Sequence, residues 1–400
     1  MINPGTYESL ASPLVLAAED VVLDVGNELV KLNKIAIANP EAIIQASLPY
    51  TKKINTVLSV WNKKWKAWAD NDLATAYLSG VQYTEQELGI LRKAGVNIRK
   101  PTQNISNAVP LANSTDPLVV SASIGSTLKA RFKDIPNHLT QFNVFRDAAY
   151  NSFEGTSLQV LRVTKDLYRD VAVKAGETMF RESDIFTRRA FSQSMLNEYA
   201  EKGLQSITYA NGRKMSLDAY AEMSARTISG HSAVQASLNR YEEYGYDLVR
   251  VSAHFTSCQL CSPWEGRILS QSGKSDRYPS LNDAISGGLF HPNCAHDISP
   301  YFIGLSPKQE VNVDPNVQNL IDEKGRLKAQ DITYKASQRQ RQIEKNIRDW
   351  KRRETVTLDK TAGRKAHSKV LEWQKAQRQH LKDNPFLRRR YAREQIKRAH

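Results

Sequence analysis

All three cysteines of the chain, Cys258, Cys261 and Cys294, fall within residues 254–296, together with His254, His291 and His296. Thiolate and imidazole are the preferred ligands of zinc, and four such groups close a tetrahedron. Cys258 and Cys261 have two residues between them, and His291 and Cys294 repeat that spacing. The pattern C-x2-C-x29-H-x2-C therefore points to a metal held by Cys258, Cys261, His291 and Cys294, with His254 and His296 as alternate ligands. Two other readings compete with it. Free cysteines also serve as small buried hydrophobes, and a CxxC pair can be a redox couple. A redox pair would sit in a thioredoxin-like strand–helix context and would not call for the histidines.

The same residues argue against one enzyme class. A zinc deaminase needs a ligand followed two residues later by Glu, ahead of a Pro-Cys-x-x-Cys. Here Thr256 follows His254, Asn293 follows His291 and His296 follows Cys294, while the CxxC comes first and not last. A metal-dependent, nuclease-like enzyme acting on nucleic acid is the alternative function, because Glu265 and Asp297 stand near the ligands. A Walker loop, a dinucleotide fingerprint and a nucleophile elbow are missing from the sequence. No catalytic residue and no small-molecule substrate is expected.

An odd cysteine count does not suit a disulfide framework and points to a reducing compartment. The start, MINPGTYESLASP, lacks a basic region followed by an apolar one, and no run of eighteen apolar residues occurs. Neither a signal peptide nor a membrane span is expected, so the chain should be made and kept in a cytoplasm.

The net charge of +14 is localised. Residues 334–400 contain 21 Lys and Arg against 7 Asp and Glu, while the remaining residues carry 35 of each sign. Such a basic segment usually meets nucleic acid, an acidic protein surface or anionic lipid, against the plainer reading of a solvated charged helix.

The elements that would position these groups are mostly helical. EDVVLDVGNELVKLNKI and TKKINTVLSVWNKKWKAWADNDLATAYL carry apolar residues at three-to-four spacing, with Trp61, Trp65 and Trp68 on one face. That face is either core or a docking surface. Residues 99–117 turn to Pro, Asn, Ser and Thr, which reads as linker. A second helical stretch follows to about Lys202. Asn211-Gly212 between short alternating runs predicts a hairpin, and Ser216 is a plausible cap for the helix LDAYAEMSARTIS. A further helix is expected from Ser232 to Tyr244, then strands at DLVRVSAHF and after Gly266. In the basic segment Ile343, Ile347 and Trp350 make a narrow apolar stripe, and Asn384-Pro385 would start a last helix.

The succession GRKMSLDAYAEMSART, DLVRVSAHF, WEGRILS, YPSL, GLFHPNCAHDISPYFIG and YKASQRQRQIEKNIRDWKR resembles the phage minor capsid protein 2 family. These are head proteins of tailed bacteriophages, related in role to the Mu F-like head morphogenesis proteins. The resemblance runs in order from about Leu158 to Arg353. It implies a virion structural protein, present in a few copies inside the head near the portal vertex, assisting assembly, with some copies leaving with the DNA. The family expects a histidine where His254 stands, often another where Cys261 stands, and Asn-Cys-Arg-His where this chain has Asn293, Cys294, Ala295 and His296. Carried over, the shared site is His254, Cys261, Cys294 and His296; Cys258 and His291 are departures that add ligands, and Ala295 replaces the arginine. The Mu F-like relatives carry a CxxC and a terminal HPxCRC-type motif, which is closer to this chain.

Together these readings predict an α+β fold that is predominantly α-helical, with a small zinc-stabilised β-rich element and an extended basic helical C-terminal arm. The expected order is an N-terminal helical region (1–100), a linker (101–117), a central α+β minor-capsid domain with the Cys/His knot (118–304), a linker (305–333) and the arm (334–400). Portal or major capsid protein and double-stranded DNA are the expected partners, and the virion the expected location, by way of the host cytoplasm during assembly. Arg339, Arg341, Arg348, Arg352, Arg353, Arg388, Arg389 and Arg390 are the candidate phosphate contacts. Trp350, Trp373 and Tyr391 either stack on bases or pack in a core or against a partner.

Overall fold

The computed structural model describes residues 4–102, 105, 111, 126–205, 207–209, 211–253, 257–292, 294–306 and 313–396, with side chains from residue 9 onward. In chain order the helices are α1 (Pro4–Ala38), α2 (Ser47–Lys93), α3 (Ser126–Arg131), α4 (Pro136–Gly176), α5 (Thr178–Glu182) and α6 (Ile185–Lys202). After a hairpin of β1 (Ile207–Thr208) and β2 (Lys214–Met215) come α7 (Leu217–Glu243), β3 (Leu248–Val251), β4 (Ile268–Ser270), α8 (Leu281–Ser286) and β5 (Ile298–Pro300). The chain then runs through α9 (Pro315–Lys324), α10 (Arg326–Thr355) and α11 (Lys360–Asp383). The fold is α+β and predominantly helical. Among the described residues no helix is long and apolar enough to cross a membrane.

The chain divides into two compact units, each assembled from three separate stretches. One comprises residues 1–13, 66–152 and 222–334; the other comprises 14–65, 153–221 and 335–400. Compaction therefore follows helix packing between distant stretches, where the reading from composition expected five segments in series. The change at Tyr334, where the positive charge begins, coincides with the last boundary between units.

In the first unit α2 and α7 cross closely. A Cβ added at Gly80 would lie 2.1 Å from the Ala233 carbonyl oxygen, so only glycine permits this approach. Beside the crossing a buried polar chain runs from Gln235 through Asn239 to the Tyr77 hydroxyl, on to His138 Nδ1, and from His138 Nε2 to Glu243. Phe132 and Phe142 stack at 5.3 Å beside Tyr77. Helix α7 runs unbroken through Gly230, where a boundary was expected. A mid-helix glycine costs only about 1 kcal/mol, less than the burial of Ala233, Val234, Ala236, Leu238 and Tyr241 supplies. The three-stranded antiparallel sheet has the order β4-β3-β5, with Val249 opposite both Leu269 and Pro300.

The second unit buries the tryptophan stripe. Trp61 and Trp65 pack on Phe153 at ring separations of 6.0 and 6.2 Å. Trp68, in the first unit, is also buried and donates to the Leu10 carbonyl at 2.9 Å. These faces are core and not docking surfaces. The hairpin at Asn211-Gly212 forms as expected, with Gly212 at φ 78° and Ile207 opposite Met215.

The basic segment is helical but doubled back. α10 and α11 run antiparallel, as the bonds of His380 to the Ala336 carbonyl and of His367 to Glu354 require. Ile343, Ile347 and Val370 form the seam, flanked by Trp350 and Trp373. Asn384 ends α11, donating back to the His380 carbonyl at 2.9 Å, and does not begin a further helix. Among the described residues that follow there is one 3-10 turn, Tyr391–Glu394, and α10 side chains take backbone carbonyls of this stretch: Gln340 that of Arg388, Lys351 that of Glu394. The expected linker at 101–117 lies mostly outside the described residues. The later part of the one at 305–333 is ordered as α9, started by the Asp314 cap and Pro315, and as the root of α10.

Candidate metal centre and basic surface

β3 and β5 pair so that Val251 stands opposite Ile298, and both loops bearing the cysteines hang from this pairing. The first loop turns tightly: Ser262 N bonds the Cys258 carbonyl and Trp264 N that of Cys261, each at 2.9 Å. The second loop leaves the capped helix α8 and turns again, with Cys294 N on the His291 carbonyl at 2.9 Å. Thus C-x2-C and H-x2-C are both knuckles. Gly287 and Gly288 allow them to meet, since a Cβ at these positions would press on the Trp264 ring at 2.8 Å and on Leu260 at 3.0 Å.

Five donors gather here in two triads. Cys258, Cys261 and His291 form one, and Cys261, Cys294 and His296 the other, with the donor atoms in each triad within 4.8 Å of one another. Cys261 belongs to both. The Cys261 and Cys294 sulfurs are 3.6 Å apart, and His296 Nδ1 is 3.3 Å from Cys294 Sγ. Ligands about 2.3 Å from a tetrahedral zinc lie roughly 3.5–3.8 Å from each other, so this triad fits such an ion. Cys258 Sγ and His291 Nε2 are closer, at 2.9 Å. His254 lies outside the described residues.

Each imidazole is oriented by an oxygen on its far nitrogen. His296 Nε2 meets Glu265 Oε1 at 3.1 Å with both side chains buried, and His291 Nδ1 meets the Pro292 carbonyl at 2.7 Å. A carboxylate behind a ligating histidine is the usual outer partner of a metal site. Of the two facing thiols, Cys294 is the one poised to lose its proton. A hydrogen bond from Cys261, reinforced by His296, pulls the Cys294 thiol down to about 4, and Cys261 is pushed up as the partner that keeps its proton. Burial opposes charge on His296, yet its bonds to Cys294 and Glu265 hold it up at about 9. A thiol–imidazole–carboxylate row can also serve a nucleophile, but here the sulfur faces a second thiol, which favours a cation. Zinc, if bound, would cross-link the two knuckles.

Sequence reading placed Glu265 near the site without its role, and missed Gln330 of α10. Gln330 bonds Ser257, Ser262 and Glu265, and no local spacing links it to the knuckles.

The candidate phosphate contacts separate by burial. Arg339, Arg341, Arg388 and Arg390 are exposed. Arg348 bonds the Arg393 carbonyl, Arg353 pairs with Glu201 and lies 4.3 Å over the Trp350 ring, and Arg389 pairs with Glu394 at 2.7 Å. Arg352 is a correction. It is 3% exposed and held by Glu19, Asp218 and Asp349, so it is a core ion partner and cannot reach phosphate. Trp350 and Trp373 pack on the α10–α11 seam, while Tyr391 is exposed beneath Arg389.

Residues 82–382 match the model of phage minor capsid protein 2. The chain belongs to this family. Its match extends beyond the stretch from Leu158 to Arg353 in both directions and takes in both knuckles, α10 and nearly all of α11. A "Structural protein" of Lactococcus phage LL-H is 24% identical over 314 residues, covering 76% of this chain and 77% of that protein. No solved structure matches. Membership of a phage minor capsid family and the likeness to a phage structural protein support a structural role in the virion.

Proposed function

We propose that this minor capsid protein sits inside the phage head near the portal, with the α10–α11 pair and the segment after it held against packaged double-stranded DNA. The observation that carries the reading is the charge: 21 cationic residues against 7 acidic ones in residues 334–400, which include most of this pair and the segment after it. The seam uses the apolar faces, so Arg339 and Arg341 of α10 are exposed, as are Arg388, which donates to the Pro385 and Leu387 carbonyls, and Arg390 in the segment after α11. Cationic side chains on phosphate need no base sequence, which suits DNA packed without regard to sequence.

The Cys/His knot has a structural part in this reading. The two loops lie apart in sequence and neither is a helix or strand at its ligands, and a bound zinc would join them directly, adding to the burial of Leu289 and Phe290. Portal or major capsid protein is the docking partner. Mass spectrometry of purified DNA-filled and empty heads tests the placement. The protein should be found in both at a few copies per particle and should cross-link to DNA in the filled ones. Its absence from particles, or plasmid cleavage by the metal-loaded protein, would favour the nuclease-like alternative.

A further inference from the structure

We propose that Gln330 ties the metal knot to the root of α10, so that loading the knot orders the first turns of the basic helix. The amide of Gln330 reaches both ends of the first knuckle. Its Nε2 donates to Ser257 Oγ, next to Cys258, and to Glu265 Oε2 at 3.4 Å. Its Oε1 accepts from Ser262 Oγ, next to Cys261, at 3.1 Å. Glu265 in turn holds His296 through its other oxygen. One side chain on α10 therefore reads the position of the residues flanking two thiols and of the carboxylate behind an imidazole.

The amide is suited to this because it donates twice and accepts once in a fixed plane. Ala329 and Thr333 beside it are fully buried, so the α10 root is packed into the unit at the turn that carries Gln330. A metal in either triad would hold Cys261, together with Cys258 in one triad or His296 in the other, and so would fix Ser262 and, beside it, Ser257 or Glu265 for the amide. Without the metal the thiols and imidazoles are tied to one another only by hydrogen bonds, the knuckle keeps just its own backbone turn, and the bonds from Gln330 are less well preorganised. The inference rests on the knot holding a metal and adds where that metal's effect is transmitted.

Hydrogen exchange on the full-length protein, with zinc content measured on the same samples, tests it. Chelation of the wild type should speed exchange in 257–265 and also in 326–334, the latter by about tenfold or more, since three hydrogen bonds of Gln330 are at stake. In Gln330→Leu, metal content should persist while 326–334 exchanges quickly whether or not chelator is present. A wild type that carries zinc and loses it with no change in 326–334 overturns the coupling alone, as does a Gln330→Leu protein in which chelation still accelerates that stretch. A wild type that binds no metal overturns the metal reading and this inference together.

Discussion

The Arg352 guanidinium meets the Glu19 carboxylate at 2.6 Å across 333 residues of sequence, and both side chains are almost wholly buried. Asp218 and Asp349 bind the same guanidinium from α7 and α10. Arg352 thus meets all three carboxylates in the core of the second unit, with Arg348 lying 3.7 Å from Glu19 and Lys345 pairing with Asp349 beside it. Removing Arg352 strands buried negative charge, which costs far more than the pair itself contributes. Arg352→Ala should lower unfolding stability by about 3–5 kcal/mol in urea titration. Arg169→Ala, which breaks an exposed pair with Asp166, should change it by less than about 0.5 kcal/mol. Equal effects would mean that the cluster does not hold the unit.

The same cluster sets a pH dependence. Burial pushes Glu19 up to about 7 despite Arg352, so the folded protein takes up a proton that the unfolded chain accepts only near 4.5. Stability from this group therefore rises as pH falls from 7 to 4.5 and is constant below. Asp218 behaves oppositely: burial opposes its charge, but Arg352 holds it down to about 2, so its contribution is full above 3.8 and is lost as pH falls toward 2. The urea midpoint of the wild type should rise between pH 7 and 5 relative to Glu19→Gln, and fall below pH 4 in both. Parallel curves for the two proteins from pH 7 to 5 would rule out a raised Glu19.

Local signals were legible in the sequence, and long-range pairings were not. Both knuckles, the Asn211-Gly212 hairpin and strands β3 and β4 follow from spacings of a few residues. β5 was missed because its three residues, ending in Pro300, carry no alternation of their own and are strands only through pairing with β3. Arg352 was misassigned for a related reason: within α10 it looks like Arg348 and Arg353, and its burial depends on Glu19 far away in sequence. The stripe of Ile343, Ile347 and Trp350 was seen, but its cover, Val370 of α11, lies past the turn.

Glu265 offers a test of which imidazole serves the knot. If His296 ligates through Nδ1, then Glu265→Gln weakens its orientation, and metal affinity should fall about 10–100-fold in competition with a chromophoric chelator. Cys261→Ser, which removes the sulfur common to both triads, should abolish stoichiometric binding. Unchanged affinity in Glu265→Gln would assign the imidazole to His291 instead.

Two glycines give opposite expectations for one chemical change. At Gly80 a methyl group would run into the Ala233 backbone, and Gly80→Ala should cost about 1–3 kcal/mol or more as α2 and α7 are forced apart. Gly155, inside α4, has nothing within 4 Å of the added carbon, and Gly155→Ala should stabilise by about 0.5–1 kcal/mol by restricting the unfolded chain. Thermal unfolding of both variants separates close packing from general intolerance of substitution.

The outward cations make the DNA reading quantitative. Each phosphate that is no longer neutralised takes about 0.9 from the slope of log affinity against log salt. Replacing Arg339, Arg341, Arg388 and Arg390 together by Gln should flatten that slope by about 3–4 for a short duplex, measured by fluorescence anisotropy at low and at moderate salt. Removing Arg352 would not be comparable, because its charge is answered inside the fold and its loss acts through unfolding. A slope unchanged in the quadruple variant, with folding intact by circular dichroism, would assign the exposed charge of α10 and of the segment after α11 to an acidic protein surface of the capsid and not to DNA.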